Sequence, residues 1–244
     1  IDVVFNYGTF SFDENFTYNF TMGRLNYQLS IEPWETDRYS FVNSYAKDGR
    51  SVHEQILNLD SAQKQSLFNF LNWNIKPENR AYLYDFFYDN CSSRLRDIVG
   101  DNTGANVVFA NLQEESKPSF RNLIDRYLVY TPWTDFGIDL GLGLPCDKTM
   151  ESKDYMFLPN ELMRGFASAT INGKPAVKQT IEHSKAQPRS STFSLLDPTP
   201  LFWLLLGVFC VIAALEWRKQ TVYWVPDFLV LLTFGAVGAL VFFL

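Results

Sequence analysis

The sequence predicts an α+β domain over residues 1–177, a polar linker over 178–200, and two transmembrane helices over 201–217 and 222–244. Three observations predict this. Strand-like and helix-like hydrophobic periods alternate through the first hundred residues, a strand-to-helix junction falls at Asn90-Cys91, and two long apolar runs close the chain. Hydrophobic residues make up 47% of the 244, with 22 Phe and 12 Tyr, a composition that buries a core and excludes a disordered chain. The net charge of −6 and the lack of a basic stripe argue against a nucleic-acid partner.

The elements follow in order. Residues 1–7 read as a strand that Gly8 breaks, and 13–22 as a short helix carrying Phe16 and Phe20 one turn apart. In 24–31 polar and apolar residues alternate, which puts Leu25, Tyr27, Leu29 and Ile31 on one face of a strand ended by Pro33. A helix over 35–45, the turn at Asp48-Gly49 and a strand over 51–59 come next. Asp60 and Gln63 form a capping box for a helix with Leu67, Phe68 and Leu71 that ends before Pro77. Aromatic residues up to Tyr88 then read as a strand running into the helix at Asn90-Cys91.

Beyond that helix, Ser119 opens another through Tyr130, with Leu123, Ile124, Tyr127 and Leu128 on its apolar side, and Thr131-Pro132-Trp133 stops it. Three glycines make 136–145 an irregular loop, and 152–169 is helical around a break at Pro159. Asn172-Gly173 is a hairpin turn, and the Pro-containing polar stretch after Lys178 is the linker. Arg218 and Lys219 carry the only positive charges between the two apolar runs. By the positive-inside rule that connection is cytoplasmic and the large domain lies on the other side of the membrane. Chain ends that fall inside a strand-like and an apolar stretch suggest a fragment of a longer protein.

Cys91 is the leading candidate for chemistry. It falls in the first turn of a helix, where unpaired N–H groups and the helix dipole favour a thiolate. Asn90, Ser92 and Arg94 are the candidates for supporting the sulfur or an oxyanion beside it, and Arg94 and Arg96 would lower the thiol pKa further if they faced it. The competing reading is a small buried cysteine with no reactivity. Three cysteines match no zinc spacing and are too few for a disulfide framework; a Cys91–Cys146 bridge is open, with two free thiols preferred. Of the two histidines, His53 lies on the 51–59 strand and reads as a polar face residue, and His183 lies in the linker and reads as exposed. Glu114, Glu115, Asp135 and Asp139 read as solvated charges. No metal or cofactor site, phosphate loop, Gly-x-Ser-x-Gly or His-Glu-x-x-His is seen.

Several stretches, in order, carry a family resemblance: Phe5-Asn6-Tyr7-Gly8-Thr9-Phe10, Gly23-Arg24-Leu25-Asn26-Tyr27, Leu57-Asn58-Leu59, Tyr82 through Cys91, Pro132-Trp133-Thr134-Asp135-Phe136-Gly137, Leu142-Gly143-Leu144-Pro145 and Phe157-Leu158-Pro159. Together they resemble the Lnb N-terminal periplasmic domain family of Bacteroidota. The resemblance implies a permuted papain-like fold of the NlpC and lecithin retinol acyltransferase kind. It implies residence in the bacterial inner membrane with the large domain on the periplasmic side. It further implies a thiol acyltransferase that moves an acyl chain from phospholipid, through a Cys91 thioester, to the N-terminal amine of a lipoprotein. Asn90-Cys91 matches the cysteine element, and the family's histidine falls in a Phe-Gly-His segment just before the position of Ile1, so the resemblance implies that this sequence lacks its catalytic histidine. The same fold also supports a cysteine peptidase or amidase acting on cell-wall peptides, and a non-catalytic envelope binding module is a third reading.

Overall fold

The computed structural model of the protein describes residues 2–10, 19, 24–34, 40–187, 190 and 194–243. The helix expected over 13–22, the aromatic residues Phe12, Phe16, Tyr18 and Phe20, and the first turn of the helix expected over 35–45 lie outside the described residues. The chain falls into two compact units. One comprises 1–117 and 149–188, the other 118–148 and 189–244.

In the first unit, β1 (Val3–Phe10) pairs antiparallel with β2 (Asn26–Pro33), and β2 pairs with β4 (Ala81–Leu83). Gly8 does not end β1. The strand continues through it with a register irregularity between Asn6 and Thr9, as glycine in a strand interior tends to mark. The alternation in β2 aims Leu29 into the core at 0% exposure, whereas Ile31 on the same face is exposed. Leu29 joins Tyr7, Tyr82 and Ile98 in one buried cluster, against which Leu67 and Leu71 of α2 (Ser61–Asn74) pack. The Asp60–Gln63 capping box forms as the sequence predicts. Between β2 and α2 lie α1 (Phe41–Lys47) and β3 (Val52–Leu57).

The helix that carries the candidate cysteine, α3 (Cys91–Asn102), starts where the sequence places it. The approach to it differs. Residues 84–88 are not a strand; β4 ends at Leu83, and Asp85 to Asp89 close a tight loop through paired backbone bonds of 3.1 Å. The Asp85 side chain accepts from the N–H groups of Phe87 and Tyr88, at 2.9 and 3.0 Å. A carboxylate that bonds the backbone two and three residues on favours a turn over the aromatic residues' strand preference.

A short sheet of β5 (Val107–Val108), β6 (Thr170–Ile171) and β7 (Lys174–Pro175) contains the expected Asn172-Gly173 hairpin, both residues at positive φ. A 3-10 turn (Asp154–Phe157) leads into α6 (Pro159–Ser168), which begins at the expected break. The linker expectation fails at its start. Val177–Ser184 is a strand, β8, paired along its length with β3, so this unit runs to Pro188. Its residues alternate around Ile181 and His183, an alternation that the surrounding polar residues conceal.

In the second unit, α4 (Phe120–Leu128) is capped by Ser119 as expected, with Leu123 and Ile124 buried and Tyr127 exposed. Pro132 does not merely stop α4; it occupies the first turn of a new helix, α5 (Pro132–Leu142), where the loop was expected. A proline lacking its N–H is at home there, and a Cβ at Gly137 or Gly141 would meet nothing, so the glycines act as weak helix formers rather than breakers. The segment 118–148 therefore clusters with the C-terminal helices and not with the domain expected over 1–177. Those helices are α7 (Pro198–Lys219) and α8 (Trp224–Phe243). By length and composition α7 suffices to cross a bilayer, and the apolar stretch described in α8 is shorter.

The Tyr82 hydroxyl donates to the Tyr7 carbonyl at 2.6 Å, and the Tyr7 hydroxyl donates to Asn74 Oδ1 at 2.6 Å, both buried. Replacing Tyr82 by Phe strands a buried carbonyl. Tyr82→Phe is expected to lower unfolding free energy by about 1–3 kcal/mol in denaturant titrations of the purified protein.

Candidate functional site

Cys91 is the first residue of α3, and Asn90 is its cap. The Asn90 amide is fully used. Its Oδ1 accepts from the N–H groups of Ser92 and Ser93, at 2.8 and 2.9 Å, and Ser93 Oγ accepts from the Asn90 N–H at 2.9 Å. Its Nδ2 donates to the carbonyls of Phe86 and Phe157, each at 2.8 Å. At 4% exposure, Asn90 is thus a bracket that holds the loop before α3, the start of α3 and the end of the 3-10 turn together. It supports the site by position, with no donor left for an oxyanion.

Arg94 sits in the same bracket. Its guanidinium makes a two-bond pair with the Asp89 carboxylate and lies 3.8 Å from the centre of the Tyr82 ring. Arg96 bonds Asp97 and the Lys153 carbonyl. Both guanidiniums are engaged by carboxylates rather than by the sulfur, so the condition under which they would lower its pKa is not met. The groups that favour the thiolate are the Ser92 hydroxyl and the N–H groups of Cys91 and Ser92 at the helix start. Burial outweighs them and holds the Cys91 thiol above its ordinary range, which overturns the expected net lowering. Desolvation wins because the surroundings are apolar and aromatic: Tyr27, Tyr82 and Tyr84 stand close enough for a charge on Cys91 to raise their own pKa values, after the larger effect of burial.

Asn6, Gly8, Tyr27 and Tyr84 complete the site and were not singled out as functional by sequence reasoning. A Cβ at Gly8 would lie 3.9 Å from Cys91 Cβ, so β1 passes directly over the cysteine. The Gly8 N–H donates to Asn6 Oδ1 at 2.8 Å, and Asn6 Nδ2 donates to Glu32 Oε1 at 2.7 Å, which fixes the irregularity in β1. Tyr27 and Tyr84 stack at 3.9 Å beside the cysteine. All four sit in the stretches that carry the family resemblance, which was the available signal.

The histidines lie elsewhere. His53 is exposed on β3. His183 is not an idle linker residue: it is half-buried on β8, with Nε2 2.9 Å from Glu54 Oε2 and its ring edge-on to Trp34. Neither is among the groups acting on Cys91. All three cysteines are free thiols, with Cys146 buried and bonded through Sγ to the Gly143 carbonyl.

The second unit gathers carboxylates that read as solvated in the sequence. Asp135 and Asp139 of α5 meet Asp125 of α4, with oxygens all within 4.8 Å of one another. Arg121 pairs with Asp139 and with Asp147, the latter at 2.7 Å. One oxygen each of Asp125 and Asp135 is buried without a hydrogen-bond partner among the described residues. Burial first, and the neighbouring carboxylates second, push both carboxyls above the usual range.

Compared with known families, the chain matches the model of the Lnb N-terminal periplasmic domain over residues 2–126 and that of the Lnb transmembrane domain over residues 189–244. The chain belongs to the Lnb family. No curated protein and no solved structure was found to match it. It is accordingly a membrane protein with an α+β periplasmic domain followed by an apolar helical region.

Three outcomes follow from this geometry. Asn90→Ala removes a helix cap and orphans the Phe86 and Phe157 carbonyls, and is expected to destabilise by about 2–4 kcal/mol in denaturant melts. Ser92→Ala removes a bond that favours the thiolate, so the pH midpoint of Cys91 alkylation by iodoacetamide, read by peptide mass spectrometry, is expected to move upward. Asp125 and Asp135 have folded pKa values above their unfolded ones, so their stabilising contribution is present below the unfolded carboxylate pKa and is lost as pH rises through the folded value. Asp135→Asn is therefore expected to raise the melting temperature at neutral pH, with a gain that shrinks on acidification.

Proposed function

We propose that the protein is a membrane-anchored thiol acyltransferase that uses Cys91 to carry an acyl chain from phospholipid to the N-terminal amine of a lipoprotein. The observation that carries this reading is the placement of a half-buried cysteine at the start of α3, under the glycine of β1 and beside stacked aromatic rings. That environment is apolar enough to receive an acyl chain. It also supplies N–H donors at the one point where negative charge would develop.

In the proposed first step a base takes the Sγ proton, and the thiolate attacks the ester carbonyl carbon of the phospholipid. The carbonyl oxygen takes up the charge against the Cys91 N–H. The C–O bond of the ester then breaks, and the lysophospholipid leaves as an alcohol with the proton returned by the base. In the second step the lipoprotein amine attacks the thioester carbonyl, the C–S bond breaks, an amide forms, and the amine's proton passes by way of the base to restore the Cys91 thiol. The family resemblance implies a histidine as the base, and neither His53 nor His183 is placed in that role. A thiol held neutral by burial suits this division of labour: it gives up its proton only when the base stands beside it to take it.

The test is made in cells that lack their own copy of the gene. Lipoprotein N-terminal peptides are compared by mass spectrometry after supplying wild-type protein, Cys91→Ala, or nothing. The third acyl chain is expected with wild type alone. A Cys91→Ala protein at normal abundance that acylates like wild type would remove Cys91 from the scheme. Absence of any difference from empty cells would turn attention to cell-wall peptides as the substrate.

A further inference from the structure

We propose that α5 and the residues flanking it form a membrane-interface foot, lying in the headgroup layer of the periplasmic leaflet where α7 enters the bilayer. Helix α5 is built in two faces. Asp135 and Asp139, one turn apart, are turned to Asp125 and Arg121 of α4. Apart from Thr134 the other positions are apolar or aromatic, and no residue of the helix is fully buried. Trp133 and Leu140 stand exposed on it, Leu144 follows just beyond its end, and exposed apolar surface of this kind marks docking sites.

The occupant follows from where α5 is held. Trp133 Nε1 donates to the Leu196 carbonyl at 2.9 Å, and the rings of Trp133 and Phe136 pack edge-on and tilted against Phe202, at 6.4 and 5.3 Å between centres. Leu196 directly precedes α7, and Phe202 lies in its second turn, so α5 is fixed within about 6 Å of the start of α7 along its axis. Once α7 spans the bilayer, that level is the water–lipid boundary. The exposed residues around it have the matching chemistry: Tyr130 and Trp133 are residues that favour the headgroup layer, and Leu144, Leu195 and Leu196 are 84%, 70% and 70% exposed. Helix α5 itself carries no Lys or Arg, so its attachment would come from apolar insertion rather than attraction to anionic lipid. The acidic face, held by Arg121 of α4, stays out of the lipid. This inference rests on the membrane topology and not on acyl transfer, and its test reads no chemistry at Cys91.

The intact protein, with Cys91→Ser, Cys146→Ala and Cys210→Ala to leave no native thiol, is reconstituted in phosphatidylcholine vesicles. Spin labels are placed singly at Leu140→Cys, Leu144→Cys, Leu205→Cys on α7 and Asn122→Cys on α4. Collisions with oxygen, which concentrates in lipid, are compared with collisions with a water-soluble nickel complex. Labels at 140 and 144 are expected to show an oxygen-to-nickel ratio several-fold above that at 122 and closer to that at 205. A water-like ratio at 140 and 144, or shielding from both reagents as a second copy or partner protein would give, overturns the proposal. Wild-type protein in vesicles containing a diazirine-bearing phosphatidylcholine provides a route that needs no substitution. Lipid adducts are expected between residues 130 and 144, and adducts confined to α7 and α8 overturn the proposal.

Discussion

Every polar valence of the Asn90 side chain is spent on holding three pieces of backbone at one point, and the rest of the site depends on that bracket. Its oxygen closes the first turn of α3, and its two N–H groups reach the loop before the helix and the end of a turn 67 residues later. A cysteine that follows such a cap has its N–H and its Sγ fixed relative to the helix axis without help from its own side chain. Arg94 reinforces the same corner by pinning Asp89 from the second turn of the helix and by lying on the Tyr82 ring. Tyr82 in turn bonds β1, whose Gly8 passes over the cysteine. Fold and site are therefore one network. The residues with the most obvious charge in it act as structural pins rather than as partners of the sulfur.

This arrangement sets two opposing influences on Cys91. The helix start and the Ser92 hydroxyl favour the thiolate, while the aromatic wall built by Tyr27, Tyr82 and Tyr84 favours the thiol. Burial is the larger of the two influences and holds the thiol pKa above its ordinary value. For the proposed acyl transfer this is a coherent compromise, because the surface that suppresses the charge would also be the one to receive an acyl chain. A surface polar enough to keep a permanent thiolate would be a poor place to seat one.

The site's local parts were legible in the sequence, and its long-range parts were not. The start of α3, the Asp60 and Ser119 caps, the Asn172-Gly173 turn and the apolar C-terminal runs are all written in residues within a turn of one another, where propensity and capping chemistry decide. The stacking of Tyr27 on Tyr84 and the passage of Gly8 over Cys91 join residues far apart in the chain, and no periodicity encodes them. Three misreadings have distinct causes. The Asp85 side chain diverts an aromatic run from strand to turn, Pro132 starts a helix at the position where it also ends one, and β8 alternates too quietly among polar residues to show its face. The last two matter beyond bookkeeping, since they move the segment 118–148 to the membrane helices and extend the periplasmic unit to Pro188.

The central claim is that Cys91 carries the acyl group, and a direct measurement is the intact mass of the protein purified from its membrane and exposed briefly to a phospholipid of defined chain length. A mass increase of one acyl chain is expected that maps to Cys91, is released by neutral hydroxylamine as a thioester should be, and is absent from Cys91→Ala. No adduct on active protein, or an adduct that persists in Cys91→Ala, would contradict it.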